Sequence, residues 1–360
     1  MNARTRVLLS IGIPILLVIV VVGAFIWVQR SNASPGTTTS ANVTSSAPKQ
    51  LTTMTLALDW TPNTNHTGIY VALEKGWYRD EGINLQLLPY SANVTPDTLV
   101  ANGKADVGIS ATESVVTDAA SGQPVVSIAA IIQHNTSALV TLASSGLSRP
   151  RDLSGKVYGG FGAPYEGPVV SEIIKHDGGT GQFKNVTLGI DAMQALETHR
   201  VDFVWVFEGW EVIQAQLQGV KLNVFPITNY GVSDYYTPVI ISSPQEIKQK
   251  PDLLRRFMAA TVKGYDFARQ NPRQAAQILI ASAPKGTFPN PQLVYDSQAF
   301  LSPRYVDPNR TWGWQDAPQW QNYPQFMLNT GGIDNAQGKP VTKMNFAALW
   351  TDEFLPKTPS

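Results

Sequence analysis

After residue 50, short apolar runs of strand length alternate with longer runs whose apolar positions recur at helical spacing. "TMTLAL" leads to a helix predicted over 68–75, which Gly76 closes as a C-cap. "INLQLL" alternates with period two, and Thr95-Pro96 opens a short helix with Thr as N-cap. "ADVGIS" reads as a strand, 113–121 as a helix, and "VVSIAAII" and "ALVTLA" as further strands. At "SRPRDLSGKVYGG" the rhythm restarts. A strand over 156–159 and a helix from about 169 are followed by "NVTLG", a helix over 192–199 and "VDFVWV". A helix over 210–218, "KLNVF" and "TPVIIS" complete this part. Helices are predicted over 252–269, 273–281 and 291–300, and the stretch beyond reads as Trp-rich and irregular. The rhythm implies mostly parallel sheets with helices on both faces.

The two halves echo each other. "GKADVGISATES" and "HRVDFVWVFEGWE" each place a basic residue, then Asp, ahead of a strand, with a Glu following (Glu113 and Glu208). Two α/β lobes of like design follow, with strands near 139–142 and 237–241 as crossings. The first lobe is expected over 51–141 and from 239 to 360, the second over 142–238.

The N-terminus is of another kind. Arg4 and Arg6 precede an apolar run from Val7 to Val28, closed by Gln29-Arg30. That run meets the roughly 20 residues a spanning helix needs. It is longer than most cleaved signals, so residues 1–30 are expected to be an uncleaved anchor, with cleavage as the alternative. The charge bias keeps the N-terminus inside and exports the body. Residues 31–50, rich in Ser, Thr, Asn, Ala and Pro, read as a flexible tether.

Composition narrows the chemistry. The 360 residues carry 27 basic and 27 acidic side chains, so no basic excess points to nucleic acid. Cysteine is absent and His numbers four, which excludes disulfides, thiolate sites and a lipid-modified Cys, and leaves no basis for a metal site. There is no G-x-S-x-G, Walker loop or G-x-G-x-x-G turn, and no catalytic residue or cofactor is expected.

In open parallel sheets, ligands sit at the carboxyl ends of strands. Five turns fall there: 59–67, 110–114, 159–168, 206–211 and 228–237. They hold Asp59, Glu113, Glu166, Glu208, Glu211 and Asp234, together with Trp60, Phe161, Tyr165, Phe207, Trp210, Tyr230, Tyr235 and Tyr236, but no Lys or Arg. Oxyanion ligands normally draw Arg or Lys. Carboxylates with aromatic faces instead suit a flat ligand bearing N–H donors, an aminopyrimidine or an isoalloxazine. A lone Asp59 or Glu208 is equally an N-cap or a surface charge. Trp205 reads as core, and Trp312, Trp314 and Trp320 as closing the C-terminal fold. His66 reads as capping or orienting the helix that follows it.

The segment "DWTPNTNHTGIYVALEKGWYRDEGI", with "GKADVGIS", "DLSGKVYGGFGAPYE", "DYYTPVIISS" and "FMAATVKGYDFARQNPRQAAQIL", resembles the ThiY/SsuA-like substrate-binding proteins of ABC importers, in the branch that binds thiamine pyrimidine precursors. The likeness covers nearly all of 51–355. It implies the periplasmic-binding-protein type II fold, two α/β lobes closing on a ligand cleft, and delivery to a permease and its ATPase. By this resemblance Trp60 is the stacking residue, Asn63–Thr67 is the polar ligand turn, with Asn63, Asn65, His66 and Thr67 in the expected binding set, and Glu166 is the acid of the glycine-rich turn. With the other turn residues, the expected binding set adds Asp59, Thr112, Glu113, Phe161, Tyr165, Glu208, Trp210, Asp234, Tyr235 and Tyr236. The expected ligand is a hydroxymethylpyrimidine or formylaminopyrimidine, bound by a monomer. Some relatives bind riboflavin, which keeps a flavin-binding role as the alternative. Related pyrimidine synthases share the fold, but their Cys-rich motif is missing from this cysteine-free chain. A surface adhesion module is the reading from outside this class.

Overall fold

A computed structural model describes residues 50–188 and 192–357. The anchor expected over 1–30 and all but the last residue of the tether lie outside the described residues. Among those described, no helix is long and apolar enough to cross a membrane.

The first sheet contains β1 (Thr52–Ala57), β2 (Ile83–Leu88), β3 (Val107–Ser110), β4 (Val126–Ala130) and β10 (Val239–Ser242), in the order β2-β1-β3-β10-β4. The second contains β5 (Ser137–Leu142), β6 (Val157–Gly160), β7 (Lys184–Thr187), β8 (Phe203–Phe207) and β9 (Leu222–Pro226), in the order β7-β6-β8-β5-β9. In each sheet three neighbouring strands run parallel, and one strand arriving from the other half lies antiparallel in the fourth place: β10 between β3 and β4, β5 between β8 and β9. Two lobes of one topology thus exchange a strand. The chain crosses outward through 131–136 and returns through 227–238.

The helices are α1 (Thr67–Glu74), α2 (Trp77–Asp80), α3 (Pro96–Ala101), α4 (Thr112–Ser121), α5 (Glu166–His176), α6 (Ala192–Glu197), α7 (Ile213–Leu217), α8 (Pro244–Gln249), α9 (Pro251–Gln270), α10 (Pro272–Ser282), α11 (Pro291–Leu301) and α12 (Ala317–Thr330). The sequence leaves α8 unread and takes the region of α12 as irregular. Pro324 lies inside α12, and its helical state comes from burying Trp320, Tyr323 and Met327.

The core of the first lobe joins β1 and β3 to α1 and α9 through Met54, Leu56, Ile69, Val71, Phe257, Met258 and Tyr265. The helices α1 and α9 cross at two glycines. A Cβ on Gly264 would sit 2.0 Å from the Gly68 carbonyl oxygen, and one on Gly68 would sit 2.3 Å from the Tyr265 ring. Only glycine fits this approach, which fixes the start of α1 against the lobe. A second core runs between the lobes: α12 packs on α4 of the first and α5 of the second, and Val116, Val170, Ile173, Tyr235 and Trp320 share one apolar cluster.

Candidate functional site

The open side of the two sheets forms a cleft of about 510 Å³. The first lobe contributes Asp59, Trp60, Asn63, Thr64, Asn65 and Leu301, and the crossings contribute Thr136 and Thr237. The second lobe contributes Phe161, the start of α6, and Trp205, Val206, Phe207, Gly209, Trp210, Glu211 and Gln214.

The turn 59–67 is held by the protein's own groups. After β1 the chain breaks into a single 3-10 turn, Thr64–His66, capped by the Asn63 side chain, which accepts the Asn65 N–H at 2.9 Å. His66 is fully buried. Its Nδ1 accepts the Asn63 N–H at 3.2 Å, so the ring proton sits on Nε2, which donates to Asp59 Oδ1 at 2.8 Å. The Tyr265 and Tyr305 hydroxyls donate to the Asn65 and Thr64 carbonyls at 2.6 and 2.5 Å. Backbone, buried imidazole and two phenols therefore hold Asp59 and Trp60 at the cleft. Trp60 lies against Tyr90, with ring centroids 4.7 Å apart, and meets Phe161 of the other lobe edge-on at 6.3 Å.

On the second lobe the chain leaves β8 through a π-helical turn, Glu208–Val212, before α7. Glu211 lines the cleft, and its Oε2 accepts the Phe207 N–H at 3.0 Å. Burial pushes the Glu211 carboxyl above its ordinary range. Trp210 also lines the cleft, with its ring edge against Phe288. Ser297 of α11 bonds both Thr64 Oγ1, at 2.5 Å, and the Gly209 carbonyl, tying the two walls at the floor.

Of the residues expected from sequence, Asp59, Trp60, Asn63, Asn65, Phe161 and Trp210 meet around this cleft. The others lie off its lining, and each has a structural partner or place. His66 positions Asp59, and Thr67 is buried at the start of α1. Thr112 donates to the Tyr236 carbonyl at 2.6 Å, pinning α4 to the returning crossing. Glu113 is buried in the first turn of α4, where Tyr235 donates to its Oε1 at 2.5 Å; burial pushes its carboxyl up to about 7. Tyr235 stacks on Tyr323 of α12 at 3.5 Å, and the Tyr236 hydroxyl accepts the Asp316 N–H at 2.8 Å. Glu166, first residue of α5, accepts the Phe161 and Gly162 N–H groups at 3.1 and 3.2 Å and so braces the glycine-rich turn from behind. Tyr165 precedes it, packed in the apolar cluster between the lobes. Glu208 begins the π-turn, its N–H donating to the Thr136 carbonyl at 2.9 Å. Asp234 joins the two crossings, accepting from Asn135 N at 2.9 Å and pairing with His134 at 2.6 Å; that bond raises the His134 pKa to about 9.

Several cleft residues escape the sequence reading: Thr136, Met193, Gln194, Gln214 and Leu301 line it, and Tyr90 backs Trp60, whereas Thr64 lines it from within the expected polar turn. Trp205, read as core, is buried yet reaches the lining. Nothing in a single sequence marks Gln194 and Gln214; they lie on α6 and α7, and only the fold turns them to the gap.

The chemistry of the lining is one-sided. It offers two carboxylates, Asp59 and Glu211, with broad aromatic faces and amide or hydroxyl groups, and neither Lys nor Arg. Such a site accepts N–H donors and stacks flat rings.

The profile of the family described as NMT1/THI5 like matches residues 63–275, more than half of the chain. A formylaminopyrimidine-binding protein of Halalkalibacterium halodurans is 28% identical over 281 residues, covering 77% of this chain and 85% of the relative. A 4-amino-5-hydroxymethyl-2-methylpyrimidine phosphate synthase of Legionella pneumophila is 24% identical over 311 residues, 85% of this chain and 93% of that protein. Among solved structures, the alkanesulfonate-binding protein SsuA of Xanthomonas axonopodis pv. citri superposes with a TM-score of 0.60 at 13% identity, over 77% of this chain and 91% of that one. This likeness establishes the two-lobed periplasmic-binding-protein fold.

Proposed function

Because the chain belongs to the NMT1/THI5 like family, we propose that it is the extracytoplasmic solute-binding component of an ABC importer. Its ligand on this reading is a thiamine pyrimidine precursor of the hydroxymethylpyrimidine or formylaminopyrimidine type, handed to a permease. The observation that carries this reading is the cleft lining: carboxylates and aromatic faces, with no Lys or Arg. An aminopyrimidine ring fits against Trp60, and its exocyclic amine finds acceptors in Asp59 or Glu211. A sulfonate would meet two like charges and no cation. The relative that binds formylaminopyrimidine supports the same ligand class.

The cleft volume of about 510 Å³ favours one second reading, a flavin, because it has room for a tricyclic ring. The two lobes close on the ligand; β5 (Ser137–Leu142) belongs to the second sheet, so the first lobe runs over 51–136 and from 239, and the second over 137–238, with the division falling before β5 and not at 141 as expected from sequence. The apolar run Val7–Val28 holds the body at the outer face of the membrane. A thermal-shift screen of the body over pyrimidines, flavins and sulfonates separates the ligands. Stabilisation by pyrimidines is expected. Stabilisation by sulfonates alone overturns the reading, and a yellow purified protein favours the flavin. Sedimentation of the full chain with membranes, resistant to high salt, is expected of the anchor; a shortened soluble form in the exported fraction contradicts it.

A further inference from the structure

We propose that the cleft selects for positive charge: of two pyrimidines of equal size and shape, it binds the one bearing an ammonium group in preference to its neutral counterpart. The inference rests on the pyrimidine reading above and adds the charge of the ligand to it.

Asp59 stands on the first lobe and Glu211 on the second, so a ligand held between the lobes lies between two carboxylates. Each has one oxygen engaged, Asp59 Oδ1 by the His66 imidazole and Glu211 Oε2 by the Phe207 N–H. Oδ2 of Asp59 accepts no hydrogen bond from another described residue, and the Glu211 carboxylate is otherwise engaged only by its own backbone N–H, so both carboxylates keep acceptor capacity toward the gap. No basic side chain lines the cleft. Arg304, which acts electrostatically on Glu208, donates to the Phe300 carbonyl at 2.6 Å and lies over the Phe300 ring. The negative charge of the gap therefore has no protein counterion among its lining residues.

The walls amplify that charge. Trp60, Phe161, Phe207 and Trp210 present ring faces or edges to the same space, and the negative face of an aromatic ring attracts a cation. Rings and aliphatic side chains also exclude water, so opposite charges attract more strongly there than in bulk solvent. Burial already holds the Glu211 carboxyl above its ordinary range, and a cation beside it relieves that penalty. A neutral hydroxyl in the same place gains a hydrogen bond but none of the charge term.

The test uses a matched pair, 4-amino-5-aminomethyl-2-methylpyrimidine, an ammonium ion at neutral pH, and 4-amino-5-hydroxymethyl-2-methylpyrimidine, which is neutral. Each is titrated calorimetrically into the protein at low and high salt. The ammonium compound is expected to bind about tenfold more tightly at low salt, and the ratio to shrink as salt screens the charge. In Glu211→Gln both ligands should bind more weakly and the ammonium compound should lose more, so that the ratio falls, and Asp59→Asn provides the second arm should the first variant fold poorly. Equal affinities, or tighter binding of the hydroxymethyl compound, overturn the charge preference and leave the pyrimidine reading standing. A preference that survives in both variants overturns the assignment to these carboxylates. Binding of neither compound overturns the inference and the pyrimidine reading together.

Discussion

Replacing His66 tests whether the first ligand turn is preorganised. The imidazole is fully buried and uses both nitrogens, Nδ1 on the Asn63 N–H and Nε2 on Asp59 Oδ1. In His66→Ala the carboxylate loses a hydrogen bond of the charged kind, about 1.5–3 kcal/mol. The Asn63 N–H loses its acceptor, a further cost of about 1 kcal/mol where water does not replace it. Removal of the ring adds a cavity. These terms are not additive, and a loss of about 3 kcal/mol of stability is expected. Ligand affinity should fall roughly tenfold, because Asp59 is no longer aimed at the cleft. Two further variants separate positioning from packing. Glutamine carries an amide nitrogen near the place of Nε2, so His66→Gln should recover much of the affinity while the Asn63 N–H stays unpaired. Asparagine reaches only the Nδ1 position, so His66→Asn should recover stability more than affinity. Urea unfolding and calorimetric titration of the three proteins with the best pyrimidine measure both quantities. Wild-type affinity in His66→Ala, or equal affinity in His66→Ala and His66→Gln, would refute the positioning role.

Three other outcomes follow from the same structure. Trp60→Ala should weaken pyrimidine binding by roughly 1–3 kcal/mol through lost stacking and buried area, and Trp60→Phe by less, as read by calorimetry. Glu113, raised to about 7 in the fold, binds more protons folded than unfolded between its ordinary value and about 7, so its contribution to stability declines as pH rises through that window. At roughly 1.4 kcal/mol per pH unit, Glu113→Gln should remove this decline and be the more stable protein at pH 8, as shown by unfolding curves at several pH values. Gly264→Ala drives a methyl group into the Gly68 carbonyl and should destabilise the body by at least about 1–3 kcal/mol, measured by urea unfolding.

Much of the fold can be read from the chain because its information is periodic. The strand and helix rhythm sits in runs such as "INLQLL" and "VDFVWV", whose apolar spacing needs no tertiary partner to be recognised. The helix α12 is different, since two prolines and several glutamines obscure it and only burial of Trp320 and Tyr323 between the lobes makes it helical. At the site, the sequence reaches the turns but not the direction of each side chain. Glu208 and Glu211 lie three residues apart in one acidic turn, and the π-helical turn carries Glu211 to the cleft and leaves Glu208 off its lining. Glu166 follows the exposed Phe161 by five residues yet turns back to hold the backbone of that same loop. Glu113 and Tyr235 come from turns of the same character and find each other in the buried core between the lobes. Spacing alone does not distinguish a carboxylate that meets a ligand from one that meets a backbone N–H.

The most direct test of the account is the crystal structure of the body saturated with an aminopyrimidine. One ligand is expected between the lobes, its ring against Trp60 and its exocyclic amine on Asp59 or Glu211. A ring bound away from Trp60, or a ligand outside the cleft between the two sheets, would contradict it.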